Sequence, residues 1–381
     1  MCINTWEQRK LGELSEKLEY GLNASATNYD GENKYLRITD IDDNNHKFNR
    51  EFLTSPNIDI SSSNHYLLKS GDILFARTGA SVGKTYIYDE KDGKVYFAGF
   101  LIRARILSNN NTQFIFQNTL TKKYLNFIRV TSQRSGQPGV NANEYRNYRI
   151  TVPKLNEQEK VGHFFKILDK TIDLHLRKIN ILKNLKQQYL RVMFVENEKN
   201  TPEIRFKSFN DVWEQRQVED IALIATGKRD TQDSIEGGKY DFYVRSPKIE
   251  KIDSYSYDGE AVLTVGDGVG VGKVFHYVNG KFDFHQRVYK ISDFKNFSGL
   301  YFYYYFSTNF IYESRKYNAK TSVDSVRREM ISKMKIPEPS VEEQNEIGRL
   351  LKKVDDTINL HQSKLSTLEQ LKKSYLRKMF L

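Results

Sequence analysis

Glu157–Phe194 reads EQEKVGHFFKILDKTIDLHLRKINILKNLKQQYLRVMF, and Glu343–Phe380 reads EQNEIGRLLKKVDDTINLHQSKLSTLEQLKKSYLRKMF. The two stretches align without a gap. They share Gly162 with Gly348, Asp169 with Asp355, His175 with His361, and Tyr189-Leu190-Arg191 with Tyr375-Leu376-Arg377. In the first, Val161, Phe165, Leu168, Ile172, His175, Ile179, Leu182, Lys186, Tyr189 and Met193 follow one another in steps of four and three. Ile347, Leu351, Val354, Ile358, His361, Leu365, Leu368, Lys372, Tyr375 and Met379 repeat those steps. A period of 3.5 residues is the seam of a coiled coil rather than the broad stripe of a surface helix. Pro153 and Pro337 stand just upstream, where the chain is still extended. At 1.5 Å per residue, a helix of ~36 residues is a rod of roughly 55 Å. One such helix cannot bury its seam alone, and the second copy supplies the partner. Antiparallel pairing about a pseudo-two-fold axis is expected to bring His175 close to His361. The pairing set is Leu168, Ile172, His175, Ile179, Leu182, Val354, Ile358, His361, Leu365 and Leu368.

The repeat extends outward from the helices. WEQRKLGEL begins at Trp6 and WEQRQVEDI at Trp213; YLRITD at Tyr35 matches YVRSPK at Tyr243; GASVGKTYIY at Gly79 matches GVGVGKVFHY at Gly268. Before each helix, short apolar runs such as Asp72–Thr78, Lys84–Glu90 and Glu260–Gly266 alternate with Gly, Asn and Asp turns. These read as β-rich domains, with Asp92-Gly93 and Asn279-Gly280 as hairpin signals. A shorter helix is expected from Asn111 to about Val130, and from Phe297 to about Arg315 in the second copy. The run Tyr301–Phe306 reads as its buried face rather than a base-stacking surface. The predicted fold is α+β: two β-rich domains, 1–152 and 205–336, each followed by a helical spacer, 153–195 and 337–381, with a linker at 196–204.

The chain has 381 residues and a net charge of +11, which favours a polyanionic partner. Its one cysteine, Cys2, excludes an intramolecular disulfide framework and a thiolate zinc site. No apolar run is long enough to span a membrane, mean hydropathy is −0.64, and no signal-peptide core follows Met1, so a cytoplasmic location is expected. Catalytic motifs are missing. Gly79 and Gly83 are separated by three residues, where a phosphate-binding loop for ATP needs four before Gly-Lys; the second copy repeats that spacing and has Val274 where Ser or Thr would bind magnesium. There is no Pro-Pro dipeptide for an amino-methyltransferase motif and no paired histidines at metal-ligand spacing. Asp92-Gly93-Lys94 has a nuclease-like look but sits on a turn. A glycine-rich loop with a lysine, recurring in a basic protein, can still approach a DNA phosphate.

The WEQRKLG-type start of each half, the PEIRFKSF lead from Pro202, the Gly-x-x-Val-Gly-Lys loops and the repeated Glu-Gln…Tyr-Leu-Arg-x-Met-Phe helices resemble the specificity subunit of type I restriction–modification systems. The resemblance covers essentially the whole chain, although the first half, beginning MCINTWEQRK, lacks the PEIRFKSF lead. It implies two target-recognition domains, each reading one half of an asymmetric bipartite site in double-stranded DNA, on helices that set the spacing and dock other subunits. It implies no catalysis and no cofactor in this chain. Two modification subunits would carry S-adenosylmethionine, and restriction subunits would carry magnesium, ATP hydrolysis and the nuclease. The competing reading is a coiled-coil scaffold for proteins alone; a self-sufficient nuclease or methyltransferase lacks its motifs.

Candidate DNA contacts follow from side-chain chemistry, since Gln and Asn suit adenine edges and Arg suits guanine. Arg77, Thr78, Ser81 and Lys84 lie in the first glycine loop, and Gly268, Val269 and Lys273 in the second. Arg134, Gln137 and Asn141 precede the first long helix, and Lys320, Thr321 and Ser322 hold the matching place in the second copy. Arg37 with Thr39, Arg245 with Lys248, and His285 with Gln286 and Arg287 are further candidates.

Overall fold

A computed structural model describes residues 6–59, 63–133, 136–195, 201–268, 270–315 and 325–380. The repeated stretches form helices of 38 and 39 residues, Leu155–Val192 and Val341–Met379. The chain divides into two compact units, Met1–Leu176 with Lys364–Leu381, and Arg177–Ser363. The division falls inside both long helices, so each unit holds one β-rich domain and a segment of each helix. The fold is α+β.

In the first unit a four-stranded sheet runs in the order Ser15–Tyr20, Leu101–Ile106, Asp72–Ala76, Thr85–Ile87. Lys34–Leu36 pairs in parallel with Val95–Phe97 beside it. In the second, Leu223–Thr226, Val288–Ser292, Tyr257–Val265 and Phe275–Phe284 repeat that order, and the sheet continues through Tyr240–Tyr243 and Ile249–Ile252. Tyr240–Tyr243 is again parallel to its neighbour, so Tyr35 and Tyr243 occupy equivalent strands. Each repeat opens with a strand, Glu7–Lys10 or Glu214–Gln217, that pairs antiparallel with Arg149–Val152 or Lys335–Glu338 just before the long helix.

The repeated Trp…Glu-Gln…Gly signature is the joint between domain and helix. Trp6 Nε1 donates to Glu157 at 3.1 Å, and Trp213 Nε1 donates to Glu343 at 3.1 Å. The next residue, Gln158 or Gln344, accepts the backbone N–H of Asn111 or Ser298 and donates to the carbonyl of Pro153 or Pro339. One turn on, a Cβ on Gly162 would lie 2.3 Å from Asn111 Oδ1, so only glycine lets the short helix start this close. The lead before Trp213 adds Arg205, whose guanidinium makes two bonds of 2.6 and 2.7 Å to the fully buried Glu343.

Within each unit the helix segments run antiparallel. In the first, Phe164 meets Tyr375 edge-on and Asp169 pairs with Lys372 at 2.7 Å; Leu168 and Ile172 pack with Leu368, Leu376 and Phe380. In the second, the equivalent pair is Lys186 with Asp355 at 2.7 Å, and Asp355 also accepts from Tyr304. Ile179, Leu182, Val354 and Ile358 are buried there. His175 is half-buried in the first unit and His361 half-buried in the second, while Leu365 is half-buried in the first.

Three expectations are corrected. Asp92-Gly93 is not a hairpin: it closes the short turn Glu90–Asp92, and the flanking strands pair with other partners. The Asp92 carboxylate is taken by Tyr86 and Arg50. Asn279-Gly280 lies inside the strand Phe275–Phe284, with Gly280 opposite Gly259 in the ladder. The hairpins turn instead at the glycine loops, between Asp72–Ala76 and Thr85–Ile87 and between Tyr257–Val265 and Phe275–Phe284. The helix expected over 111–130 is two helices, Thr112–Asn118 and Lys122–Thr131, because Thr121 caps the second by accepting from Tyr124 N. The second copy keeps one helix, Gly299–Arg315, and its aromatic run is buried except for the half-buried Tyr303.

Candidate nucleic-acid interface

The two glycine loops are built alike. Gly79 and Gly83 have φ of 72° and 83°, Gly268 and Gly272 have 80° and 65°, all in the left-handed region glycine tolerates. A Cβ on Gly83 would sit 2.6 Å from Ile128, and one on Gly272 2.3 Å from Ile311, so the glycines let each hairpin lie on its helix. The neighbouring loop then comes across. Thr78 bridges to Gly139, and Val140 N donates to Arg77 O at 2.8 Å. In the second unit Asp267 bridges to Ser325, and Val326 N donates to Gly266 O at 2.7 Å. A third segment closes the surface: Arg77 N donates to Phe100 O at 3.0 Å, and Gly266 N to Arg287 O at 2.7 Å. Each unit thus brings three separate loops to one place.

In the first unit this gathers Arg77, Thr78, Ser81 and Gln137. The Gln137 amide lies over Gly79, and Thr78 Oγ1 faces the Pro138 carbonyl at 3.5 Å. The Arg77 guanidinium stands 5.0 Å from the Tyr20 ring centroid and 5.8 Å from that of Phe100, within cation–π range. Both rings are exposed, Tyr20 at 43% and Phe100 at 57%. Sequence reasoning passed over them because aromatics in short apolar runs usually face the core. Lys84 is turned inward: its ammonium bonds the Ile41 carbonyl at 3.0 Å and pairs with Asp43. Asn141 caps the helix Ala142–Arg146 by accepting from Glu144 N. Arg37 is clamped by two bonds to Asp40, three residues on. Local structure, rather than a free recognition surface, accounts for these three.

In the second unit Arg245 and Arg287 flank Asp267 at 3.5 and 3.6 Å, and both guanidinium groups are largely in water. His285 is buried. Its Nδ1 accepts from Arg287 N at 2.9 Å, which leaves the proton on Nε2, 3.8 Å from Asp230. Burial lowers the His285 pKa, and Asp230 opposes that. Gln286 donates to Asp230 at 3.0 Å, Lys248 pairs with Glu250 on the edge hairpin, and Lys273 is exposed. Arg134, Val269, Lys320, Thr321 and Ser322 lie outside the described residues. Among the described residues no cluster of His, Cys, Asp and Glu could hold a metal ion, and no helix is long and apolar enough to cross a membrane.

The family model for the type I restriction modification DNA specificity domain matches residues 3–184 and again 210–370. The type I restriction enzyme MjaVIII specificity subunit of Methanocaldococcus jannaschii is 21% identical over 81% of this chain and 78% of its own length. The EcoDI specificity subunit of Escherichia coli is 25% identical over 42% of this chain and 34% of its own. A crystal structure of a type I restriction–modification S subunit from M. genitalium superposes with a TM-score of 0.74 at 14% identity, covering 100% of this chain and 97% of that one.

Proposed function

The chain belongs to the family of type I restriction–modification DNA specificity subunits, and from that membership we propose that each of its two domains reads one half of an asymmetric, bipartite site in duplex DNA. The observation that carries this is the duplicated surface. The same three loops converge in each unit by equivalent backbone hydrogen bonds, yet they present Tyr20, Arg77, Phe100 and Gln137 in one and Arg245, Asp267 and Arg287 in the other. One scaffold with two different faces suits two different half-sites, and the net charge of +11 suits a phosphate backbone.

The long helices set the distance between the half-sites and dock two modification subunits, to which restriction subunits are added. The chemistry lies there: S-adenosylmethionine with the modification subunits, ATP and magnesium with the restriction subunits, and none with this chain, which works in the cytoplasm. The experiment is a titration of labelled duplex DNA with the full chain assembled on its modification subunits, at several salt concentrations. Binding through several phosphates requires log affinity to fall linearly with log salt, with a slope of several units. A flat response would favour the protein-only scaffold. Methyl transfer by this chain alone would contradict a non-catalytic role.

A further inference from the structure

Most cations of the two candidate surfaces are already committed. Lys84 is bonded to Ile41 and Asp43, Arg37 to Asp40, and Lys248 to Glu250. Arg77 differs: among the described residues no carboxylate lies within ion-pair distance of its guanidinium, which lies within cation–π range of two exposed rings. Tyr20 is itself fixed, because its hydroxyl accepts the Ala142 N–H at 3.1 Å. A guanidinium over an aromatic face can keep its in-plane N–H donors for another partner.

The second unit puts a guanidinium at the same backbone node by another route. The hydrogen bond from Arg77 N to Phe100 O corresponds to the one from Gly266 N to Arg287 O. Position 266 cannot carry an arginine, since a Cβ there would lie 3.0 Å from the Tyr289 ring and 2.9 Å from Arg287 O. The arginine comes from the opposite side of the bond, at position 287, where Asp267 steadies its side chain and His285 its backbone N–H.

We propose that this node is the specificity-determining position of each recognition domain: Arg77 reads a guanine in the first half-site with Tyr20 and Phe100 as positioning residues, and Arg287 reads a guanine in the second. The inference rests on the DNA-recognition reading above. An arginine fork meets guanine O6 and N7 together, a pairing a lysine cannot copy in two bonds.

The test is the methylation motif written on random-sequence DNA by the full chain with its modification subunits. Arg77→Ala and Arg77→Lys should each lower discrimination for guanine at one position of the first half-site by at least about tenfold and leave the second half-site untouched. Phe100→Ala should relax the same position, and Phe100→Tyr should restore it, which a merely structural role would not require. Arg287→Ala should relax only the second half-site. Arg77→Lys keeps the charge and the aliphatic stem, so it carries the test even where Arg77→Ala folds poorly. An intact motif with uniformly weaker methylation would make Arg77 a phosphate contact and overturn the inference, as would an unchanged motif at an unchanged rate. If the unaltered complex wrote no sequence motif, the recognition reading itself would fall, and the inference with it.

Discussion

Glu343→Gln should cost the second unit far more stability than Glu157→Gln costs the first, although both residues begin the same repeated helix motif. Glu343 is fully buried and accepts three bonds, two from Arg205 and one from Trp213. Removing one partner of a buried ion pair costs about 3–5 kcal/mol, because the other charge stays behind without compensation. The Arg205 side chain retains 14% exposure, which places the loss near the lower end, about 3 kcal/mol. Glu157 is half-buried, and the described residues give it the Trp6 bond. A glutamine amide oxygen can still accept from that indole, so the loss there is about 1 kcal/mol or less. The assay is built into the composition, since the chain has two tryptophans and each is the reporter of its own joint. In a Trp6→Phe background, urea unfolding followed by Trp213 fluorescence reads the second unit; Trp213→Phe leaves Trp6 to read the first. With an m-value of roughly 2–3 kcal/mol per molar for a unit of this size, Glu343→Gln shifts its midpoint by roughly 1 M and Glu157→Gln by less than about 0.5 M. Equal shifts would refute the claim that Arg205 and Glu343 form a compensated buried pair.

Lys84→Ala should lower stability by about 1–2 kcal/mol through loss of the Ile41 bond while leaving the salt slope of DNA binding unchanged, whereas Lys273→Ala should reduce that slope by about one unit; binding isotherms at several salt concentrations check both. Gly272→Ala places a Cβ 2.3 Å from Ile311 at a φ of 65°, so calorimetry should show destabilisation of about 1–3 kcal/mol, and a neutral result would mean the loop relaxes freely. Burial holds His46 below its ordinary pKa against the opposing bond to Thr85 O, so the fold favours neutral imidazole. Its stabilisation is complete above the unfolded value near 6.5 and is lost as pH falls through the lower folded value. His46→Asn, which tolerates the left-handed backbone at φ 57°, should flatten that acid-side decline when Trp6 fluorescence is followed.

The duplication and the long helices were legible because their signals are strictly local: a 3.5-residue period and residues repeated at fixed spacing. The hairpins were misplaced because Asp-Gly and Asn-Gly are turn signals only when the strands on either side pair with each other. Val95–Phe97 pairs instead with Lys34–Leu36, and Gly280 lies opposite Gly259 within a continuous ladder. The site was half legible. Arg77 and Gln137 do meet in the first unit, and Arg245 and Arg287 in the second, but periodicity cannot show that Lys84 points to a carbonyl or that Asn141 is spent on a helix cap. Nor could it find Tyr20 and Phe100, which are exposed only because two strands end where three loops meet. The roles of Trp6, Glu157, Gln158 and Gly162 as one joint were equally hidden, since their partners are far apart in sequence.

The central claim is that two recognition domains act separately on one DNA site. Its most direct test replaces residues 205–336 with the corresponding domain of another specificity subunit and reads the methylation motif of the assembled complex. The account predicts that the second half-site changes to that of the donor while the first half-site and the spacer stay as they were, because energies of distant sites with no shared partners add. A change in both half-sites, or in neither, would contradict it.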